Sequence, residues 1–142
     1  MNKQIHFFSY KIKYLIKNKR KLIEWLERVI TENGKITGEI NLIITSDKVL
    51  QEINIKYLYT DKYTDTISFI LSEEEEIVSG DIYISIERVI ENAGKYKVSQ
   101  EDELNRILVH SVLHLMGYDD NTRKERLTMR KLENKYLDMV MQ

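Results

Sequence analysis

Apolar positions along the chain recur either at every second residue or at every third to fourth, and the switches between the two periods mark out the elements. Ile5 to Ser9 alternates and reads as a short first strand, with His6 one of its structural side chains. Lys19 to Glu32 follows with Leu22, Ile23, Leu26, Val29 and Ile30 on one helical face, Trp25 sealing the edge of that face, and an end near Gly34. Glu39 to Thr45 predicts a second strand, after which Ser46 caps a helix from Asp47 to about Tyr57 with Val49, Leu50 and Ile53 inward. Thr64 to Leu71 predicts a third, well-buried strand and Gly80 to Ser85 a fourth; a helix from Ile86 to Ala93 then stops at Gly94.

Ser99, with Asp102 three residues on, has capping-box spacing and opens a long helix that Leu104, Ile107, Leu108, Val112 and Leu115 bury against the sheet. Thr122 with Glu125 caps a last helix, Arg123 to about Met139, whose inner stripe is Leu127, Leu132, Tyr136 and Val140. The order β-α-β-α-β-β-α-α-α, without linker, repeat or low-complexity segment, predicts one α+β domain over residues 1–142. Its architecture is a mixed sheet of about four strands with helices packed on it.

A chain of 142 residues buries a core without disulfides or a structural metal. The absence of cysteine excludes a disulfide framework and a thiolate zinc site, and agrees with a reducing compartment. No apolar run approaches the ~18–20 residues of a membrane span, so the expectation is a soluble, cytoplasmic protein that does not engage a membrane. The net charge of −1 supplies no global field toward nucleic acid. Its distribution is uneven, since seven Lys and Arg and no acid precede Leu22. The plainer reading of that strip is a solvated surface; the functional one is phosphate contact through Lys11, Lys13, Lys17 and Arg20. Glu73 to Glu76 read as an exposed acidic loop.

Two of the three histidines, His110 and His114, stand four residues apart in the long helix, so their imidazoles project from one face about a turn apart. Gly117 can end that helix in a left-handed conformation, and a turn then swings Asp120 under the same point. His110, His114 and Asp120 are therefore the candidate ligands of one metal ion, placed where the histidine helix meets the sheet. Three protein ligands leave a tetrahedral ion an open position for water, which suits hydrolysis rather than stapling a fold. The bland alternative is two histidines satisfied at a helix surface. No catalytic side chain beyond that water is evident; Asp119 reads more simply as a turn residue or a carboxylate orienting a histidine.

The ordered residues Ile53-Asn54, Tyr57, Asp61, Thr64-Asp65-Thr66-Ile67-Ser68-Phe69, Gly80 to Ile84, Glu103-Leu104, Val109-His110, Leu113-His114-Leu115, Gly117-Tyr118-Asp119, Met129-Arg130 and Glu133 resemble the YbeY family of bacterial ribosomal RNA maturation factors. The resemblance implies a metal-dependent, single-strand-specific endoribonuclease with one zinc per chain. It implies action in small-subunit ribosomal RNA 3′-end maturation and ribosome quality control, with ribosomal RNA and the small ribosomal subunit as partners.

The sequence departs from the family pattern at named positions. The third histidine is Asp120, whose charge lowers the Lewis acidity of the ion and widens tolerance of other divalent metals. The arginine after the tyrosine is Leu58, leaving Lys56 or Lys62 to meet a phosphate. The glycine after the first histidine is Ser111, and the proline before the Thr-Asp pair is Tyr63. A non-catalytic, metal-binding ribosome-assembly factor is the second reading, supported by Leu58. A zinc peptidase is disfavoured, because Ser111 stands where that chemistry places a glutamate base. Tyr10, Tyr14, Tyr57, Tyr59 and Tyr63 are numerous enough to stack on bases, but form no ordered run.

Overall fold

A computed structural model describes residues 4–58 and 65–140. Four strands, β1 (Ile5–Ser9), β2 (Ile36–Thr45), β3 (Thr66–Ile70) and β4 (Ile77–Ser85), form one sheet in the order β1-β2-β4-β3. β1, β2 and β4 run parallel, while β3 pairs antiparallel to β4 and forms one edge. The helices are α1 (Lys19–Glu32), α2 (Asp47–Ile53), α3 (Ile86–Tyr96), α4 (Gln100–Leu115) and α5 (Arg123–Val140), with a π-helical turn over Asn54–Leu58. This is the α+β arrangement that the periodicities predict.

The long histidine helix is the centre of the fold. In α4, Leu104, Ile107, Leu108, Val109, Val112, Leu113 and Leu115 are all buried, so the helix is apolar around most of its circumference and needs cover on every side. The β3–β4 side of the sheet, α3, α5 and α1 supply that cover. The three expected caps are present: the hydroxyls of Ser46, Ser99 and Thr122 accept the backbone N–H groups of Val49, Asp102 and Glu125. Glu125 closes its box by accepting the Thr122 N–H at 2.9 Å.

Several expectations are corrected. β2 and β4 begin earlier, at Ile36 and Ile77, and pair there across a register shift between Thr37 and Ile40. The bend brings Gly38 so close to Ser79 that a Cβ would clash with its hydroxyl, a constraint that alternation alone does not reveal. α3 runs through Gly94 to Tyr96 and is closed by Lys97 in a left-handed conformation. The α2 helix ends at Ile53 and widens into the π turn instead of continuing to Tyr57. Trp25 is core rather than edge, 3% exposed, and its indole donates to the Tyr136 carbonyl at 2.7 Å. Leu127 is exposed, because the buried stripe of α5 begins only at Met129. Described strand β3 runs from Thr66 to Ile70 and is not well buried: it is an edge strand in which only Ile67 is buried and Ile70 is exposed; Thr64 lies outside the described residues.

Candidate metal centre

His110 and His114 lie on the last turns of α4 with their Nε2 atoms 3.0 Å apart. The helix ends as Gly117 takes φ 102°, and the Tyr118 N–H returns to the Leu113 carbonyl at 3.1 Å while the Gly117 N–H bonds His114 O at 3.0 Å. The tyrosine hydroxyl then donates to Asn33 at 2.9 Å, pinning the turn to the end of α1. From this anchored turn Asp120 reaches back, its Oδ2 3.3 Å from His114 Nε2 and 3.6 Å from His110 Nε2. The guanidinium of Arg126 donates to the Asn121 carbonyl at 3.2 Å and steadies the loop from α5.

These separations test the donor set. Ligand atoms ~2.0–2.1 Å from a tetrahedral ion stand about 3.3 Å from one another. The three donors meet that spacing, lie within 4.8 Å of each other and are only half-buried, so the residues fit a divalent cation with one face open.

His110 carries a support that spacing did not disclose. Its Nδ1–H donates to Glu133 Oε2 at 2.6 Å, and the other carboxylate oxygen of Glu133 accepts from Arg106 Nη1 at 2.8 Å. Such a bond fixes the tautomer and turns the Nε2 lone pair toward the metal position. Asp119, the sequence candidate for this role, is exposed; the orienting carboxylate comes from α5. The available signal was a glutamate within the apolar stripe of Met129, Leu132, Tyr136 and Val140.

Burial alone would lower the His110 pKa, but the Glu133 hydrogen bond and charge, with Asp120 and Asp65, outweigh it and hold the imidazole above its ordinary value. Burial likewise works to raise Glu133, and the bonds from His110 and Arg106 reverse it, leaving the carboxylate below its ordinary range. The folded, metal-free protein therefore binds the His110 proton more tightly than the unfolded chain does. That stabilisation is complete below the ordinary imidazole pKa of 6.5 and is lost as pH rises through the raised value. Thermal denaturation of metal-free protein should show falling stability across that window, with part of the slope absent in His110→Gln. Cation binding needs the neutral ring and should strengthen over the same window.

Beside His110, a cavity of about 610 Å³ runs between α3, α4 and α5, lined in part by Asp65, Glu103, Arg106, Arg130 and Glu133. Burial pushes the Asp65 and Glu103 carboxyls above their ordinary pKa, His110 offsetting part of the rise at Asp65 and Arg106 part of it at Glu103. Ser111 is fully buried and bonds the Ile107 carbonyl at 2.8 Å and Thr66 Oγ1 at 3.0 Å. Its hydroxyl ties α4 to β3 and is not placed as a base.

Of the proposed phosphate contacts, Lys11, Lys13 and Lys17 are exposed on the segment that follows β1, the strand at the opposite edge from β3, and Arg20, exposed in the first turn of α1, pairs with Glu24 at 3.4 Å. Lys56 is exposed on the π turn; Lys62 and Tyr63 lie outside the described residues.

A family model described as Endoribonuclease YbeY matches residues 4–141. An endoribonuclease YbeY of Flavobacterium psychrophilum is 46% identical over 132 residues, 93% of this chain and 94% of the relative. One from Amoebophilus asiaticus is 38% identical over 133 residues, 94% of this chain and 90% of the relative. The solution structure of TM1509 from Thermotoga maritima superposes with a TM-score of 0.66 at 29% identity, covering 96% of this chain and 88% of that one.

Proposed function

The chain belongs to the endoribonuclease YbeY family, and from that premise we propose that it hydrolyses single-stranded ribosomal RNA, using one zinc ion held by His110, His114 and Asp120. The observation that carries this reading is the convergence of three donor atoms at 3.0 to 3.6 Å on a half-open surface. When bound, the cation supplies Lewis acidity: it acidifies water and polarises a phosphoryl oxygen. The chain's own contributions are separable from that chemistry. Glu133 keeps the His110 proton on Nδ1, Arg106 holds the Glu133 carboxylate, and Asp120 adds the anionic donor. Arg130, largely exposed and lining the adjoining cavity, is a cation for phosphate charge where Leu58 supplies none. The proposed setting is the cytoplasm, in small-subunit ribosomal RNA 3′-end maturation and ribosome quality control. Among the described residues no helix is long and apolar enough to cross a membrane.

Metal analysis paired with an RNA cleavage assay tests the reading. Purified protein should carry one divalent ion and cut single-stranded RNA, and protein that binds the ion without cutting would favour the assembly-factor reading that Leu58 supports. Exchange of Asp120→His removes one negative charge from the ligand set, so water at the ion should be more acidic. The pH–rate profile should then shift to lower pH, with cleavage at neutral pH equal to or above the parent's.

A further inference from the structure

We propose that the β1 side of the sheet face opposite α4 is a stacking platform that holds single-stranded RNA for cleavage; this rests on the RNA-cleaving reading above.

The register defines the platform. Phe8 pairs with Ile43, Ile43 with Tyr83 and Tyr83 with Ile67, so these four side chains form one row across all four strands on a single face. The row before it is His6, Asn41, Asp81 and Phe69 by the same pairings. The helices α1 and α4 pack on the other face, which carries Ile5, Ile40, Leu42, Ile82 and Ile84. Of the open side, α2 and the π turn cover the β4–β3 end, where Tyr57 meets Phe69 edge-on and Phe69 meets Tyr83 at ring distances of 6.2 and 6.1 Å. At the β1 end Phe8 and Tyr10 stay 51% and 47% exposed. Along that row Ile67 is buried and Ile43 and Tyr83 are half-buried, so the exposed part of the face is its β1 side, where two aromatic rings stand beside each other in place of polar residues and mark an interaction surface.

Charge selects the occupant. Lys11 stands over the Tyr10 ring and Lys56 over the Tyr57 ring, at 5.4 and 5.3 Å, so a cation flanks the rings at each end. Lys13 and Lys17 are exposed on the segment that follows β1, and the carboxylate of Asp81 within the face is bonded by the Asn41 amide at 3.0 Å. Rings with a flanking cationic rim match an unpaired strand, whose bases stack while its phosphates reach the lysines.

The test uses full-length, metal-loaded protein and a fluorescently labelled, unstructured 12-nucleotide RNA. Binding is followed by anisotropy, in conditions that slow cleavage, at two salt concentrations. Phe8→Ala with Tyr10→Ala should weaken binding by about tenfold for each ring lost, while the salt dependence stays as in the parent. Tyr10→Phe, which keeps the ring, should bind within about twofold of the parent. Lys11→Ala with Lys56→Ala should instead flatten the salt dependence. Photo-crosslinks to the RNA should map to β1 and β4. A parent that binds RNA tightly, with an undiminished Phe8/Tyr10 double variant of normal metal content, would overturn the platform and leave the nuclease reading standing. A parent that binds no single-stranded RNA would overturn both.

Discussion

His114→Ala should abolish stoichiometric metal binding and, with it, RNA cleavage. The imidazole contributes one of three protein donors, and its Nε2 is the atom nearest to both others, 3.0 Å from His110 and 3.3 Å from Asp120. Structural zinc sites of four ligands bind with ~10–16 kcal/mol, or about 3 kcal/mol per ligand, so one donor lost weakens affinity by roughly a hundredfold or more. Because the side chain is partly exposed and is not one of the core residues of α4, the variant should fold and melt close to metal-free parent. Equilibrium dialysis against zinc, cleavage of a labelled single strand and thermal denaturation read the three effects separately. Unimpaired cleavage in this variant would remove the histidines from the chemistry.

Glu133 carries the second large effect. Only 5% exposed, it is bonded at once by His110 and Arg106, so Glu133→Ala leaves a guanidinium and an imidazole facing a void. Breaking a buried pair by removing one partner costs about 3 kcal/mol or more, and loss of a carboxylate that orients a ligand histidine lowers metal affinity about 10–100-fold. Glu133→Gln separates the two roles. Its amide oxygen still accepts from Nδ1–H, which should keep most of the stability, but the lost charge should weaken the ligand and return the His110 pKa toward its ordinary value. Urea denaturation and a chelator competition give both quantities. Equal metal affinity in parent and both variants would reduce Glu133 to packing.

The periodicities located the four described strands and the five α-helices, because most of them bury one clearly apolar face and most boundaries carry a cap or glycine; the π turn over Asn54–Leu58 and the exposure of β3 were not legible. What they missed depends on partners remote in sequence. The early starts of β2 and β4 exist because Ile36 and Ile77 face each other across the Gly38 bend, which neither strand shows alone. Trp25 lies inside the fold because Tyr136, more than a hundred residues on, offers it a carbonyl. At the site, helical spacing brought His110 beside His114, and one glycine with positive φ was enough to return Asp120 to them. The family pattern included Glu133, but its partner became evident only when α5 lay across α4. The lysine strip follows the strand at the far edge of the sheet, a separation that charge counting along the chain cannot show.

Anomalous diffraction at the zinc edge, from crystals grown with the ion, tests the central claim most directly. One strong peak should stand ~2.0–2.2 Å from His110 Nε2, His114 Nε2 and an Asp120 oxygen, with Glu133 still bonded to His110 Nδ1. No peak there, or a peak elsewhere with the three side chains apart, would contradict the account.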